Sequence, residues 1–304
     1  NNVASVKVVK GLPVRGGTTS PAGLFWTLDS VVRVTYAPTT VGSATLYWKY
    51  DLVTQQSSIM SSQCVIEYDG IFYWCGVDRF LMYNGVVKEI ANDMNQNYFF
   101  DNLNYDQRQK VWATKVPRYG EIWWFYPRGD STECNDAIIY NVRDKIWYDA
   151  GVALGARRSA GVFSEIFRKP IWGGWDQNGT GKYTLWQHET GTDEIYLNQD
   201  NAIESYFETN VIGPSMGLVG ATQQPGDNVW TRCERIEPDF VQVGDMTVVV
   251  TGNGYADDPP QDSDPYTFDP DTLKVDMKEQ RREMRLRFRT TMLHRTQQAR
   301  IEPR

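Results

Sequence analysis

The stretch GEIWWFYP, Gly120 to Pro127, places five large apolar or aromatic side chains in a row from Ile122 to Tyr126. A strand with one dry and one wet face alternates apolar and polar residues. This segment has no polar position to offer to water, so a strand here must be covered on both faces. That requirement constrains the fold more than any other feature of the chain.

The same kind of segment returns along the sequence. Tyr73-Trp74 ends GIFYWCG, Trp123-Trp124 occupies GEIWWFYP about 50 residues later, and Trp172 lies in KPIWGGW about 49 residues after Trp123. Each is followed by a turn and a further strand. RFLMYNGVVKEI turns at Asn84-Gly85, DAIIYNVRDKIWYD turns near Val142-Arg143, and Asn178-Gly179 leads into KYTLWQHE. A period of roughly 40–50 residues, with four short strands per unit and aromatic inner strands, is the pattern of a β-propeller. Neighbouring blades cover the inner strands on both faces, and rings burying roughly 150–250 Å² each fill the gaps between blades.

The expected fold is therefore all-β, a β-propeller of about six blades of roughly 45–50 residues. The alternative is a β-sandwich-rich, multi-sheet protein. The coarse units are 24–60, 63–105, 110–155, 158–200, 203–250 and 251–304. Residues 1–215 are assigned to blades. Residues 216–304 are assigned to the final blades or to a small C-terminal β-domain closing the propeller. Between them runs a Gly/Pro-rich connection, Gly213 to Asn228.

Composition agrees with strands. The 304 residues are 13 % aromatic, with 11 Trp and 17 Tyr, and Val, Ile and Thr recur in short runs between Gly, Asn, Asp and Pro. The net charge of −7 does not favour tight general binding of duplex DNA, which needs clustered Lys and Arg. An acidic wall instead repels phosphate and lets DNA slide past. No apolar run approaches the roughly 18 residues of a membrane-spanning helix, so no membrane partner is expected. The opening NNVASVKVVKG lacks the basic and apolar regions of a signal peptide.

Cys64, Cys75, Cys134 and Cys233 form no CxxC pair, and with two His in the chain no zinc site is visible. CVIEYDGIFYWC reads as a hairpin turning at Asp69-Gly70, with Tyr68 opposite Ile71 and Cys64 opposite Cys75. That parity makes 64/75 a hydrogen-bonded pair, about 5.5 Å apart at Cα, where a direct disulfide is strained. Two reduced thiols packed in a core are expected.

KEQRREMRLR has helical propensity, but its apolar residues alternate. Leu273, Val275 and Met277 form one period-two run, and Met284, Leu286 and Phe288 form another. The expectation is two strands joined by a charged turn, Lys278 to Glu283. Charge is polarised here. Thr251 to Asp276 holds seven Asp against one Lys, and Met277 to Arg304 holds one Lys and eight Arg against three Glu. Arg285, Arg287 and Arg289 share one strand face and are candidate contacts for a partner or for DNA phosphate. The competing reading is a solvated face, or one neutralised by the Asp-rich loop.

Catalytic and metal signatures are weak. His188, in LWQHETG, reads as structural, and no GxSxG, HExxH or Walker sequence occurs. Glu189 with a distant Asp is a conceivable glycosidase pair, but nothing selects it. DDPPQDSDPYTFDPD lacks the spacing of an EF-hand. Arg128-Gly129-Asp130 reads as a turn. Asn178-Gly179-Thr180 is a glycosylation sequon only in a secretory pathway. No catalytic residue, cofactor or metal is assigned.

SPAGLFWTLDSVVRVTY, VIEYDGIFYWCGVDRFLMYNGVV, FFDNLNYDQRQKVWATKVPRYGEIWWFYP and ECNDAIIYNVRDKIWYDAG resemble the propeller-bearing virion proteins of tailed bacteriophages. They are similar to the packaged-DNA-stabilisation and tail-nozzle (tail-hub) proteins of short-tailed phages. The resemblance is densest from Ser20 to Gly151 and continues more loosely through YTLWQHETGTD and RIEPDFVQVGDMTVVVTG. It rests on aromatic, turn and strand motifs and carries over no catalytic residue. It implies a non-enzymatic structural role in the virion, after assembly in the bacterial cytoplasm. Copies would form a homo-oligomeric ring, usually a hexamer, below the portal and its adaptor. That ring would help retain packaged DNA and form part of the ejection conduit. The alternative function is a carbohydrate-binding or carbohydrate-cleaving propeller of a receptor-binding tail component, with exposed Trp172 and Trp175 stacking on sugar rings.

Overall fold

The computed structural model describes residues 3–7, 21–91, 94–150, 157–164, 166–175, 183–191, 193–196, 199–212, 230–255, 257–291 and 294–303. The Asn178-Gly179 turn, the sequon and the Gly213–Asn228 connection lie outside them. At 58 % strand and 6 % helix, the protein is all-β, as its composition requires. Among the described residues no helix is long and apolar enough to cross a membrane. Two compact units divide the chain, Asn1–Thr190 and Gly191–Arg304.

The first unit is a succession of antiparallel meanders. Strands β1 (Val3–Lys7), β2 (Pro21–Thr27), β3 (Val31–Val41) and β4 (Ala44–Thr54) form the first sheet in chain order. Strands β5 (Val65–Tyr68), β6 (Ile71–Cys75), β7 (Phe80–Tyr83) and β8 (Val87–Glu89) form the second. Helix α1 (Met94–Asn102) and a 3₁₀ turn (Tyr105–Lys110) lead to the third, made of β9 (Trp112–Val116), β10 (Glu121–Tyr126), β11 (Asp136–Asn141) and β12 (Ile146–Asp149). The fourth sheet holds β13 (Arg158–Val162), β14 (Ile171–Gly174) and β15 (Thr184–Gln187). The segments 63–105 and 110–155 thus each contain one four-stranded sheet, and 158–200 contains a three-stranded one.

Local chemistry sets the turns. Tyr68 pairs with Ile71 across Asp69-Gly70, whose φ angles of 50° and 79° are the two positive values that a tight primed hairpin turn demands. Cys64 and Cys75 are buried and free, as their opposed positions lead one to expect. The Cys64 thiol donates to the Ser61 carbonyl at 3.1 Å and to the Cys75 carbonyl at 3.3 Å, and burial holds both thiols above their usual pKa. At the β11–β12 turn, the Asn141 side-chain oxygen accepts from the amides of Arg143 and Asp144 at 2.9 and 3.0 Å.

The second unit begins with the hairpin β16 (Asp193–Tyr196) and β17 (Gln199–Ala202). Its remaining strands are β18 (Ser205–Glu208), β19 (Thr231–Gln242), β20 (Met246–Asn253), β21 (Gln261–Asp262), β22 (Tyr266–Phe268), β23 (Val275–Thr290) and β24 (His294–Pro303). The two units expected at 203–250 and 251–304 do not form separate sheets. β18 and β20, from the first of them, both pair with β23, from the second.

The charged turn expected at Lys278–Glu283 is also absent, because β23 runs unbroken through it. The two apolar runs have opposite parity: Val275 and Met277 are odd, whereas Met284, Leu286 and Phe288 are even. A straight strand would expose one of them. A β-bulge reconciles the two: between the pairs Thr251↔Arg285 and Asn253↔Arg282, β20 advances two residues and β23 three. Glu283 takes φ 49° at the bulge. Both runs then point into one core, with Ile236, Val248 and Val250. The first half of β23 pairs with β19, and the second half with β18 and β20.

Candidate functional site

The answer to the unbroken aromatic run is that its two faces belong to two different cores. Ile122, Trp124 and Tyr126 join the core shared with the second sheet, whereas Phe125 packs with Trp112, Trp172 and the half-buried Trp123. The alternation is intact, but both sides are dry.

Four tryptophans mark the seams. Trp26, Trp74, Trp124 and Trp172 occupy β2, β6, β10 and β14, the second strand of each successive sheet, and all four are at most 1 % exposed. Trp26 meets Trp74 edge-on at 5.6 Å, joining the first two sheets. Trp124 meets Phe80 of the second sheet at 4.9 Å, and its indole N–H donates to the Cys64 carbonyl at 2.9 Å. Phe99 of α1 closes this seam against Phe80 at 5.2 Å and Tyr126 at 4.5 Å. Trp172 sits 5.1 Å from Phe125 and 5.3 Å from Trp123 of the third sheet. The first strands also approach: the Ala113 amide donates to the Gln63 carbonyl at 2.9 Å, in a parallel bridge between Gln63 and Trp112. Sequence reasoning found three of the four tryptophans and missed Trp26, although its distance from Trp74 repeats the spacing of the others.

Trp172 is not the exposed sugar-stacking residue expected of it. At 1 % exposure it is enclosed by Trp112, Trp123, Phe125 and the His188 ring, whose centroid lies 4.0 Å away. Gly161 permits this closeness, since a Cβ there would stand 2.5 Å from Trp172. The Trp175 indole N–H donates to the Cys134 carbonyl at 2.7 Å. His188 accepts from the Arg158 guanidinium at 3.0 Å, and burial together with that cation lowers its pKa to about 3. It is a neutral structural acceptor.

Glu189 adopts φ 58° and lines an apolar groove of about 530 Å³ with Phe163, Phe167, Leu185 and Arg118. Burial holds its carboxyl above the usual range, and the nearby Glu121 pushes the same way. Glu121 is already committed: one oxygen accepts from the Trp123 indole at 2.8 Å and the other from the Tyr148 hydroxyl. A glycosidase pair needs two carboxylates free to face one bond, and Glu121, held by two donors, is not free to be the second.

Among the described acids Asp136 is the most buried, at 2 % exposure. It accepts from the Ala137 amide at 2.7 Å and the Tyr126 hydroxyl at 3.2 Å, with Arg128 at 3.4 Å. Burial outweighs these partners and raises its pKa from 3.8 to about 6. The folded state then holds the proton more tightly than the unfolded chain. The resulting stabilisation is complete below about pH 3.8 and is lost as pH rises through about 6. Stability measured by urea unfolding is expected to fall across this window by on the order of 2–3 kcal/mol. Asp136→Asn should remove that component; an unchanged slope in the variant refutes the assignment. Arg128, of the Arg-Gly-Asp tripeptide, is turned toward this acid, and Gly129 takes φ 62° in the turn.

Arg285, Arg287 and Arg289 do share the outward face of β23, while Leu286 and Phe288 between them are fully buried. Their carboxylate neighbours come from residues 204–208, not from the Asp-rich loop. Glu208 contacts Arg287 at 2.7 Å and Arg285 at 3.4 Å, and Glu204 lies 3.7 Å from Arg289. In the Asp-rich segment, Asp262 accepts from Thr251 and Asp269 from Thr272, both at 2.6 Å. Among the described residues no three His, Cys, Asp or Glu side chains converge as a metal site. No protein-family model matches the chain, and no curated protein matches it.

Proposed function

We propose that this chain is a structural, non-enzymatic component of a tailed-phage virion. It would form a tail nozzle or hub ring below the portal and adaptor, helping to retain packaged DNA and forming part of the ejection conduit. Within this reading the successive sheets of residues 1–190 are propeller blades. The observation that carries it is the tryptophan on the second strand of each of the four sheets of residues 1–190, wedged against a neighbouring sheet. Such a scaffold spends its aromatic rings on rigidity. Three of its titratable side chains are engaged locally: Glu121 by Trp123, Asp136 by Tyr126, His188 by Arg158.

Charge supports the same reading. A net charge of −7 suits a conduit wall that does not hold its cargo. Glu208 and Glu204 beside the arginine face weaken its pull on phosphate. The test is light scattering on the purified chain, with DNA retention measured against salt and a glycan screen in parallel. A closed ring, near six copies, without salt-sensitive DNA retention is expected. A monomer or trimer that cleaves polysaccharide overturns the reading. If DNA is retained at low salt and Arg285→Ala with Arg287→Ala abolishes it, the chain is instead a nucleic-acid-binding module.

A further inference from the structure

Strands β3 and β4 continue well beyond the sheet that starts them. β3 pairs with β2 only from Val31 to Thr35, and from Tyr36 outward β4 is its one neighbour among the described residues. The result is a two-stranded arm closed at Gly42, which takes φ 64°. Between Tyr36 and Tyr50 the only charged side chain is Lys49.

The register sorts the arm into two unlike faces. Pairs Val41↔Ala44, Thr39↔Leu46, Tyr36↔Trp48, Val34↔Tyr50 and Val32↔Leu52 share one side. Thr40↔Thr45, Thr35↔Lys49 and Arg33↔Asp51 share the other, together with Tyr47. Apart from Thr39 the first side is apolar, the pattern of a strand pair with one buried face. Yet Tyr36, Val41, Leu46, Trp48, Tyr50 and Leu52 are 48–70 % exposed. The sequence specifies a dry face, and beyond its base, where Val34 is buried, no described residue covers it.

We propose that this face is an interface, and that its occupant is a second copy of this chain. Two arguments select that partner. The six side chains leave on the order of 700 Å² exposed per copy, close to the roughly 800 Å² per partner of a standard stable interface. Lipid is the poorer occupant. The outer edge of β4 and the Tyr36–Val41 edge of β3 have no strand partner among the described residues. Carrying their free N–H and C=O groups into hydrocarbon costs several kcal/mol each. A protein surface covers the face and leaves those edges to water or to another strand.

This deepens the ring reading by naming the surface that joins copies, and it rests on that reading only for self-association. The experiment compares the full chain with Trp48→Glu/Tyr50→Glu and with Tyr47→Glu, by light scattering over a concentration series, with circular dichroism to confirm folding. All three positions are solvent-facing, so the variants keep the core. The wild-type chain and Tyr47→Glu are expected to associate alike, and the double variant to weaken association at least tenfold. If the wild type associates and the double variant does so equally, the arm is not the interface while the ring reading survives. A wild type that stays monomeric throughout defeats both. Equal loss in Tyr47→Glu defeats the face assignment. Sedimentation of the wild type, but not the double variant, with anionic phospholipid vesicles would assign the face to a membrane and overturn the proposal.

Discussion

Replacing Trp124 with alanine is expected to destabilise the first unit by about 3–5 kcal/mol, the cost of emptying a large aromatic site in a core that cannot collapse. Three losses coincide. The indole is fully buried, it packs against Phe80 and Trp147, and its N–H satisfies the Cys64 carbonyl. Removing it opens a cavity in the seam between the second and third sheets and orphans a buried acceptor. Trp123→Ala, one residue away, should cost much less, because that side chain is only half-buried. Urea unfolding, followed through hydrogen exchange of the β6 and β10 amides, separates the two. A loss below about 1 kcal/mol for Trp124→Ala would mean that the seam is not what holds these sheets together.

Deleting Glu283 should be as damaging to the second unit, though Glu283 itself touches no core. The deletion removes the extra residue that brings two runs of opposite parity to the same side. A one-residue slip turns every following side chain to the other face. Met284, Leu286 and Phe288, at most 1 % exposed, would then face water while Arg285 and Arg287 turned inward. At roughly 1.5–3 kcal/mol for each apolar side chain, the loss is about 5–9 kcal/mol, comparable with the whole stability of a domain. Glu283→Gly keeps the residue count and relieves a φ of 49°, so it should leave stability unchanged or slightly raised. Hydrogen exchange of the β20 amides reads both variants. Full protection in the deletion would show that the bulge is dispensable.

Much of the first unit was legible because its signals are local. The Asp69-Gly70 hairpin, the free Cys64 and Cys75, and the aromatic strands at Trp74, Trp124 and Trp172 follow from turn chemistry and period-two parity. Trp26 was equally legible by spacing, since it stands 48 residues before Trp74. The partners of Arg285 and Arg287 were not legible. Glu208 lies far away in sequence and reaches them only because β18 pairs with β23. The burial of Trp172 was hidden for the same reason: of the rings that enclose it, Trp112, Trp123 and Phe125 come from the third sheet, and nothing in KPIWGGW announces them.

The strand class, the tight turns and the side chains that had to be dry follow from local residues, because backbone sterics and alternation act over short stretches of chain. What covers each dry face was settled by the packing of distant segments, by the tertiary fold. It divided GEIWWFYP between two cores, joined two apolar runs through a bulge, and left the outer β3–β4 arm without cover from any described residue. Burial depends on what arrives from elsewhere in the chain, and a strand's own residues carry the demand for cover without naming the surface that meets it.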